Sequence, residues 1–313
     1  MKQPGSRQFL CSFLLVAAGS VGADELPCDR TAPPLPSWQA LEYEQHAFMV
    51  TARSRLALHA DAADPAIWRL QANSSVASNS EDVGLTLAAA DGRAQRRERY
   101  SQGKDKRYKT YDYLPTMVVR KRFDPPADTS LPPTDWPLSS RKDIPYPPLP
   151  DGAVVTDAYA LLELAGRFLD SEASDATVAV NTEFNFYLVK LSRGNSPAIK
   201  VKYQLSASGQ TVSGSRETRA VKLAISPLVE PDKPDFSLLG LHGEITILFD
   251  REQTLPLQLR GTAPRLGSAE INLTAVTLRE ACAARAGPDL AGPGLAGPGL
   301  AGPEQVEPSE PGK

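Results

Sequence analysis

Apolar and polar residues alternate along most of this chain, and no other feature limits its fold as strongly. Residues 178–191 read VAVNTEFNFYLVKL, and a second alternating run covers 199–205 after a turn at 193–197. Side chains of a strand point to the two sheet faces in turn, so these runs predict a β-hairpin with one buried and one solvated face. On the buried face of the first run we expect Val178, Val180, Phe184, Phe186 and Leu188.

Further alternating runs cover both halves of the chain, separated by Gly, Asp or Pro turns. The sharpest turn signal is Asp91-Gly92, a dipeptide typical of tight hairpins. Residues 41–58 show no clear turn and predict either one bent strand or a strand pair. The other predicted strands are 67–76, 83–88, 94–100, 106–113, 117–123, 221–225, 243–250, 255–261 and 268–276. The fold class is therefore mainly β (α+β), with an antiparallel sheet.

A proline-rich connection divides the two sets of strands. Nine prolines fall within residues 125–150, which excludes helix and central strand there. The next segment, 156–170, has apolar residues at helical spacing, and Thr156 or Asp157 can cap it. This predicts one amphipathic helix that buries its stripe against the sheet. We interpret 38–280 as a single β-rich domain, with two domains joined by the prolines as the alternative.

The two ends of the chain predict export and a tail without a core. Lys2 and Arg7 precede an apolar run of about ten residues, and small residues at 21 and 23 suit a signal peptide, 1–23, cleaved after Ala23. The apolar run is shorter than the roughly 20 residues that span a bilayer. An N-terminal lead, 24–37, follows. Residues 283–313 repeat AGPxL and predict a disordered Ala/Gly/Pro tail. We expect a periplasmic protein.

Cys28 and Cys282 are the cysteines that remain after removal of the signal peptide. An even pair in an oxidising compartment is most simply a disulfide, and two unpaired thiols are the alternative. The three histidines are scattered without ligand spacing, so no metal site is expected.

The order of strands, one central helix opening on Thr156-Asp157-Ala158-Tyr159, and a final meander resembles an exported bacterial domain-of-unknown-function family (the 3108 type). The matching C-terminal residues are Asp250, Leu255-Pro256, Gly267-Ser268 and Ile271. That family is similar to the lipoprotein-carrier (LolA/LolB-like) fold class. The resemblance implies a curved antiparallel sheet or half-barrel wrapped around the helix, with an apolar groove. The proline connection and the AGPxL tail depart from the family's pattern.

No catalytic motif is present in the sequence. It contains no Gly-x-Ser-x-Gly, no His-Glu-x-x-His, no P-loop and no dinucleotide-binding glycine pattern. We therefore expect a non-catalytic protein without a cofactor, and a hydrolase is the weakest alternative.

A basic stretch, RRERYSQGKDKRYKTYDY at 96–113, interrupts an otherwise slightly acidic chain. Residues 93–122 hold eleven Lys or Arg against three acidic residues, whereas the formal net charge is −3. Export argues against nucleic acid as the partner. Two interpretations remain: a solvated strand face, or a patch for anionic lipid headgroups that also allows peripheral membrane contact. The candidate patch residues are Arg97, Arg99, Lys104, Lys106, Arg107, Tyr108, Arg120 and Arg122.

Together these features predict an exported binding protein for a lipid-like or acylated ligand, or a protein that assists envelope assembly. Its partners would be a lipid or lipoprotein-like ligand, or envelope proteins. A glycan-binding or structural envelope accessory protein is the alternative. The apolar face of the binding groove is expected to contain Leu161, Leu162, Phe168, Phe184 and Phe186.

Overall fold

Seventeen strands form one large open mixed sheet in the part of the chain that the structure, a computed structural model, describes. That part comprises residues 34–47, 50–127, 130–264 and 266–279. The predicted signal peptide 1–23, most of the predicted lead 24–37, both predicted disulfide cysteines and the predicted tail 283–313 lie outside it. The strands are β1 Trp38–Ala47, β2 Val50–Ala60, β3 Ile67–Val76, β4 Asn79–Ala88, β5 Ala94–Gln102, β6 Arg107–Tyr113, β7 Met117–Phe123, β8 Leu138–Pro145, β9 Val155–Thr156, β10 Asp175–Asn181, β11 Phe186–Arg193, β12 Ile199–Leu205, β13 Thr211–Arg216, β14 Thr218–Pro227, β15 His242–Asp250, β16 Pro256–Ala263 and β17 Gly267–Leu278.

Sequential antiparallel pairs account for most of the sheet. Strands β1 to β8 pair in order, and β1 also pairs with β17, which continues through β16 and β15 to β14. Strand β14 pairs with β11, and β11 with β10, to which β9 adds in parallel. The β12–β13 hairpin joins β17 through two parallel residue pairs. The mainly β fold with one short helix is confirmed.

The predicted hairpin between residues 178–191 and 199–205 was wrong. Asn181 ends β10, a turn follows, and β11 begins at Phe186 and pairs with β10 and β14 instead. The turn forms because its polar groups find local partners: the Thr182 backbone N–H donates to the Asn185 carbonyl at 3.0 Å. Phe184 lies in this turn and is exposed.

The proline connection contains more regular structure than its composition predicts. A short 3₁₀ turn covers Pro133–Asp135, and β8 follows at Leu138–Pro145. Among the pairings described, β8 has only β7 as a neighbour, so it is an edge strand. Proline is tolerated there because a strand edge has backbone donors without sheet partners.

The helix is shorter than predicted and begins with a 3₁₀ turn. Thr156 belongs to β9, Asp157 caps the Tyr159 N–H at 3.0 Å, and a 3₁₀ turn at Ala158–Ala160 precedes α1, Leu161–Asp170. Helix α1 contacts β11, β14 and β15. The residues of its apolar stripe are buried: Leu161, Leu162, Ala165, Phe168 and Leu169.

Helix α1 is buried on its polar side as well. Glu163, expected to face solvent, has only 5% of its surface exposed. Arg167 lies over the Trp68 ring at 4.2 Å and donates to the Ala90 carbonyl at 3.1 Å. The helix therefore fills the space beside the β4–β5 turn. None of the described helices is long and apolar enough to cross a membrane.

The alternating strand directions define two ends of the sheet. The turns after β1, β3, β5, β7, β10 and β14 and the turn before β17 lie at one end, which we call the rim. Helix α1 lies at the opposite end, where the β4–β5 turn contacts it. The first and last strands also meet at that opposite end, since Trp38 is paired with Leu278.

Candidate functional site

One face of strands β2 to β8 changes from apolar to basic across the sheet. Directly opposed residues in an antiparallel pair share a face, so the strand register gives the order of side chains. One row across the strands is Leu58, Leu70, Leu85, Arg97, Tyr111, Arg120 and Lys142. The next row is Leu56, Ala72, Val83, Arg99, Lys109, Arg122 and Ser140.

The structure gathers part of the predicted basic patch on this face and separates the rest. The residues on the face are Arg97, Arg99, Arg107, Arg120 and Arg122. Tyr108 opposes Tyr100 and Phe123 and therefore points to the other face. Lys104 and Lys106 are exposed before β6 starts, and Arg107 pairs with Asp105 at 2.9 Å. Because Arg97 and Arg120 are 6% and 4% exposed, a solvated strand face does not describe them.

Arg97 connects β5 to the start of the helical segment and to the end of β10. Its guanidinium donates to Asp157 Oδ2 at 2.6 Å and to the Asn181 carbonyl at 3.1 Å. It also donates to the Thr182 carbonyl and lies over the Tyr111 ring at 3.6 Å. No backbone pairing joins β5 to β10 in the described sheet, so these side-chain contacts hold the two regions together.

Glu183 is the centre of the second part of this cluster. Its Oε1 accepts from Lys109 Nζ and from Arg120 Nη2, both at 2.6 Å, and its Oε2 lies 3.7 Å from Arg99. Arg99 also donates to Glu81 at 2.7 Å. We call the following residues the charge cluster: Glu81, Arg97, Arg99, Lys109, Arg120, Asp157 and Glu183.

Asp235 fixes the turn that carries Glu183. Its carboxylate accepts from the hydroxyls of Thr182 and Tyr187 at 2.8 and 3.0 Å and from the Asn185 amide at 2.7 Å. It also accepts from the Glu183 backbone N–H at 3.3 Å. The position of the Glu183 backbone is therefore set independently of the cations that its side chain contacts.

The charged groups of the cluster shift each other's pKa values. Burial alone would raise the pKa of Glu183, but hydrogen bonds and charges from Lys109 and Arg120 outweigh it and hold the pKa below its ordinary value. Burial lowers the pKa of Lys109, and Glu183 offsets only part of that effect. Among the described residues, Nε of Arg97, Nε of Arg120 and the Tyr111 hydroxyl are buried without a hydrogen-bond partner.

A cleft of about 1070 Å³ opens beside the charge cluster. Its walls include Arg99, Lys109 and Glu183, and residues of the β5–β6 and β16–β17 turns. Most of the lining residues have polar side chains. The hydroxyl and amide groups among them belong to Gln45, Ser54, Ser74, Ser75, Asn79, Ser80, Ser101, Gln102, Tyr159, Asn181, Thr182 and Ser237.

Most of the exposed large hydrophobic side chains lie at the rim, beside this cleft. Eight large hydrophobic side chains among the described residues are exposed, and seven of them lie at the rim or in the loops that leave it. The seven are Val50, Val76, Leu131, Leu138, Phe184, Val229 and Leu266. The eighth, Leu114, lies at the opposite end, in the β6–β7 turn.

The five residues predicted to form an apolar face do not lie together, because they are divided among three places. Leu161, Leu162 and Phe168 belong to the main core. Phe186 packs in a smaller buried cluster with Tyr111, Val118, Val155 and Ala179. Phe184 is exposed, and its ring lies 4.6 Å from Arg120 and 4.7 Å from Lys142. The cleft is lined mainly by residues with polar side chains, although apolar atoms form more of its surface, and the side chains of Leu161, Leu162 and Phe168 are part of the core.

Sequence reasoning missed Lys109 and Glu183, the two residues that define the cluster. Lys109 could have been identified from the sequence, because a hairpin between β5 and β6 places it opposite Arg99. Glu183 could not have been identified in this way, because its segment was interpreted as a strand. No group of three or more His, Cys, Asp or Glu among the described residues is placed to hold a metal ion.

No family model matches this chain, and no curated protein matches it. A crystal structure titled as a beta-barrel-like protein of domain of unknown function DUF1849, from Brucella abortus, aligns with a TM-score of 0.45 and 9% sequence identity. The alignment covers 79% of this chain and 100% of that chain. The similarity is too low to carry an argument. None of the comparisons supports the 3108-type family or the lipoprotein-carrier class.

Proposed function

We propose that this chain is an exported, non-catalytic binding protein for an amphiphilic, acylated ligand. Its polar headgroup occupies the cleft, and its apolar part lies against the rim. One observation carries this proposal: the polar cleft opens at the end of the sheet that carries seven of the eight exposed large hydrophobic side chains. Exposed apolar surface of this kind is typical of contact sites, and a cleft with convergent polar groups gives specificity.

The filled interior decides where the acyl part goes. Helix α1 occupies the end opposite the rim, and its apolar stripe is already covered by β11, β14 and β15. Because these side chains pack in the core, we place the acyl chain outside it. The acyl part therefore stays at the rim or in the bilayer while the headgroup enters the cleft.

The compartment belongs to the same proposal. The predicted signal peptide directs the chain to the periplasm, where acylated envelope molecules and envelope proteins are available as partners. Contact with a membrane is peripheral and uses the rim.

Native mass spectrometry of the protein purified from the periplasm, followed by organic extraction, tests the proposal. We expect a co-purifying acylated molecule. The replacements Leu138→Ser and Leu266→Ser should reduce its retention and the binding of detergent-solubilised lipid extract. Leu114→Ser is the matched control, because Leu114 is similarly exposed at the opposite end.

A clean apo mass together with equal lipid binding by the rim and control variants would contradict the proposal. That outcome would favour a structural envelope accessory protein, which the filled core between the sheet and α1 supports as the second candidate.

A further inference from the structure

We propose that Arg99, Lys109 and Arg120 form a binding site for a phosphate group, and that Glu183 occupies this site in the free protein. The inference rests on the proposed function and names the headgroup chemistry of its ligand. Glu183 is then an internal competitor that the ligand's phosphate displaces.

The geometry around Glu183 is that of an oxyanion site. One carboxylate oxygen lies 2.6 Å from both Lys109 Nζ and Arg120 Nη2, and the other lies 3.7 Å from Arg99. Cations converging from three strands on one anion resemble the clusters that hold phosphate oxygens. Arg120 Nε is buried with no partner among the described residues, so this guanidinium has a donor that the carboxylate does not use.

Access to the site runs past Glu183. The Glu183 side chain is 24% exposed, whereas those of Lys109 and Arg120 are 10% and 5% exposed. Glu183, Lys109 and Arg99 all line the cleft. The carboxylate therefore lies between solvent and the two buried cations, Lys109 and Arg120, whereas Arg99, with 33% of its side chain exposed, is reached directly from the cleft.

The charge balance favours phosphate over a carboxylate ligand. Three cations face Glu81 and Glu183, which leaves one positive charge; without Glu183 two remain. A phosphate monoester carries about −1.5 to −2 at neutral pH and so matches the vacated site. A ligand carboxylate would only reproduce the charge of Glu183.

The exchange needs no backbone movement. Asp235 holds the turn through Thr182, Asn185 and the Glu183 backbone N–H. These contacts do not involve the Glu183 side chain, which is free to rotate toward solvent about its own bonds.

Calorimetric titration of the full mature protein with inorganic phosphate tests the inference. We expect Glu183→Gln to bind phosphate at least about tenfold more tightly than the wild type, since it removes a charge-assisted competitor. Glu81→Gln is the matched control: it removes the same charge from the same cleft, but Glu81 contacts only Arg99 among the three cations, so its effect should be smaller. Lys109→Gln added to Glu183→Gln should abolish the gain.

A second measurement separates the sources of phosphate and guards against misfolding. Thermal unfolding of each variant identifies those that fold, and if the Lys109→Gln double variant unfolds, Arg99→Gln in the Glu183→Gln background replaces it. Vesicles containing phosphatidic acid, compared with phosphatidylcholine vesicles, show whether a lipid phosphate binds as inorganic phosphate does. Equal effects of Glu183→Gln and Glu81→Gln, or no effect of either, would overturn the inference. If an acylated molecule still co-purifies in that case, the proposed function stands and only the phosphate site is wrong.

Discussion

Buried charge is the main feature at the scale of single residues. Glu163, on the helix, is almost completely buried and accepts from Arg167. Burial raises its pKa to about 7, although the charge and hydrogen bond of Arg167 act in the opposite direction. A carboxylic acid with a raised pKa destabilises the fold once the unfolded chain ionises, so this residue connects stability to pH.

We expect Glu163→Gln to flatten the pH dependence of stability. Below about pH 4.5 the carboxyl is protonated in both states; as the pH rises toward 7 the unfolded chain loses the proton first, so wild-type stability falls. The fall should amount to about 2–3 kcal/mol and be absent in the variant. Urea unfolding at pH 5 and pH 8 measures it. Glu172→Gln, at an exposed position, should behave like the wild type.

Arg97 and its neighbour Arg96 allow a direct comparison of buried and exposed charge. Arg97→Met leaves the Asp157 carboxylate buried without its cation, and we expect a loss of about 3–5 kcal/mol in the free energy of unfolding. Arg96 lies on the other face and pairs with Glu98, with both side chains about half exposed, so Arg96→Met should cost less than about 1 kcal/mol. Similar losses in denaturant titrations of the two variants would mean that Arg97 does not hold β5 to β10.

At the scale of elements, the β4–β5 turn determines how closely helix α1 approaches the sheet. Gly92 has φ of +71°, and a Cβ atom there would lie 2.7 Å from Leu164 Cδ2. The turn carbonyl of the same glycine accepts from the Thr156 hydroxyl at 2.6 Å. The Asp-Gly turn is therefore both a hairpin connection and the surface on which the helical segment packs.

We expect Gly92→Ala to destabilise the protein more than Gly152→Ala. Gly152 has a similar φ of +75° but nothing within 4 Å of its added Cβ. Backbone strain, about 1–2 kcal/mol, acts at both positions, whereas the contact with Leu164 adds to it only at Gly92. Guanidinium unfolding of both variants gives the difference. Equal losses would show that Leu164 moves aside without cost.

The positions of the strands could be predicted from the sequence, but for several strands the buried face could not. β3 and β7 begin and end at the predicted residues, because alternation and turn residues agree there. In β5 both faces are polar, with Arg97 and Arg99 on one and Arg96 and Glu98 on the other, so periodicity alone cannot assign the buried face. Glu183 was placed on a strand because the side chains that form its turn are satisfied by Asp235, which is distant in sequence.

At the scale of the whole molecule, the predicted disulfide is compatible with where the described chain begins and ends. Arg279 donates to the Leu58 carbonyl at 2.8 Å, and its backbone N–H donates to the Ser37 carbonyl at 2.8 Å. The first and last residues of the described chain therefore lie close together. A bond between Cys28 and Cys282, a few residues beyond each end, would close a long loop of chain.

Thiol labelling of the unreduced, denatured mature protein checks this pairing. We expect no labelled cysteine before reduction and two after it, because the periplasm favours disulfide formation. Reduction should also lower the midpoint of thermal unfolding. Two labelled cysteines in the unreduced sample would show that the pair is free.

Because Trp38 pairs with Leu278, the two terminal segments join the described sheet side by side, and this affects how the protein can be immobilised or fused. A surface, a fusion partner or a membrane anchor joined to either terminus connects to the folded part at the end opposite the rim. The cleft lies at the other end of the described sheet from Trp38 and Leu278, where the terminal segments join it. Immobilised protein should therefore present its cleft to the solution, and a tether and a ligand do not compete for the same side of the molecule.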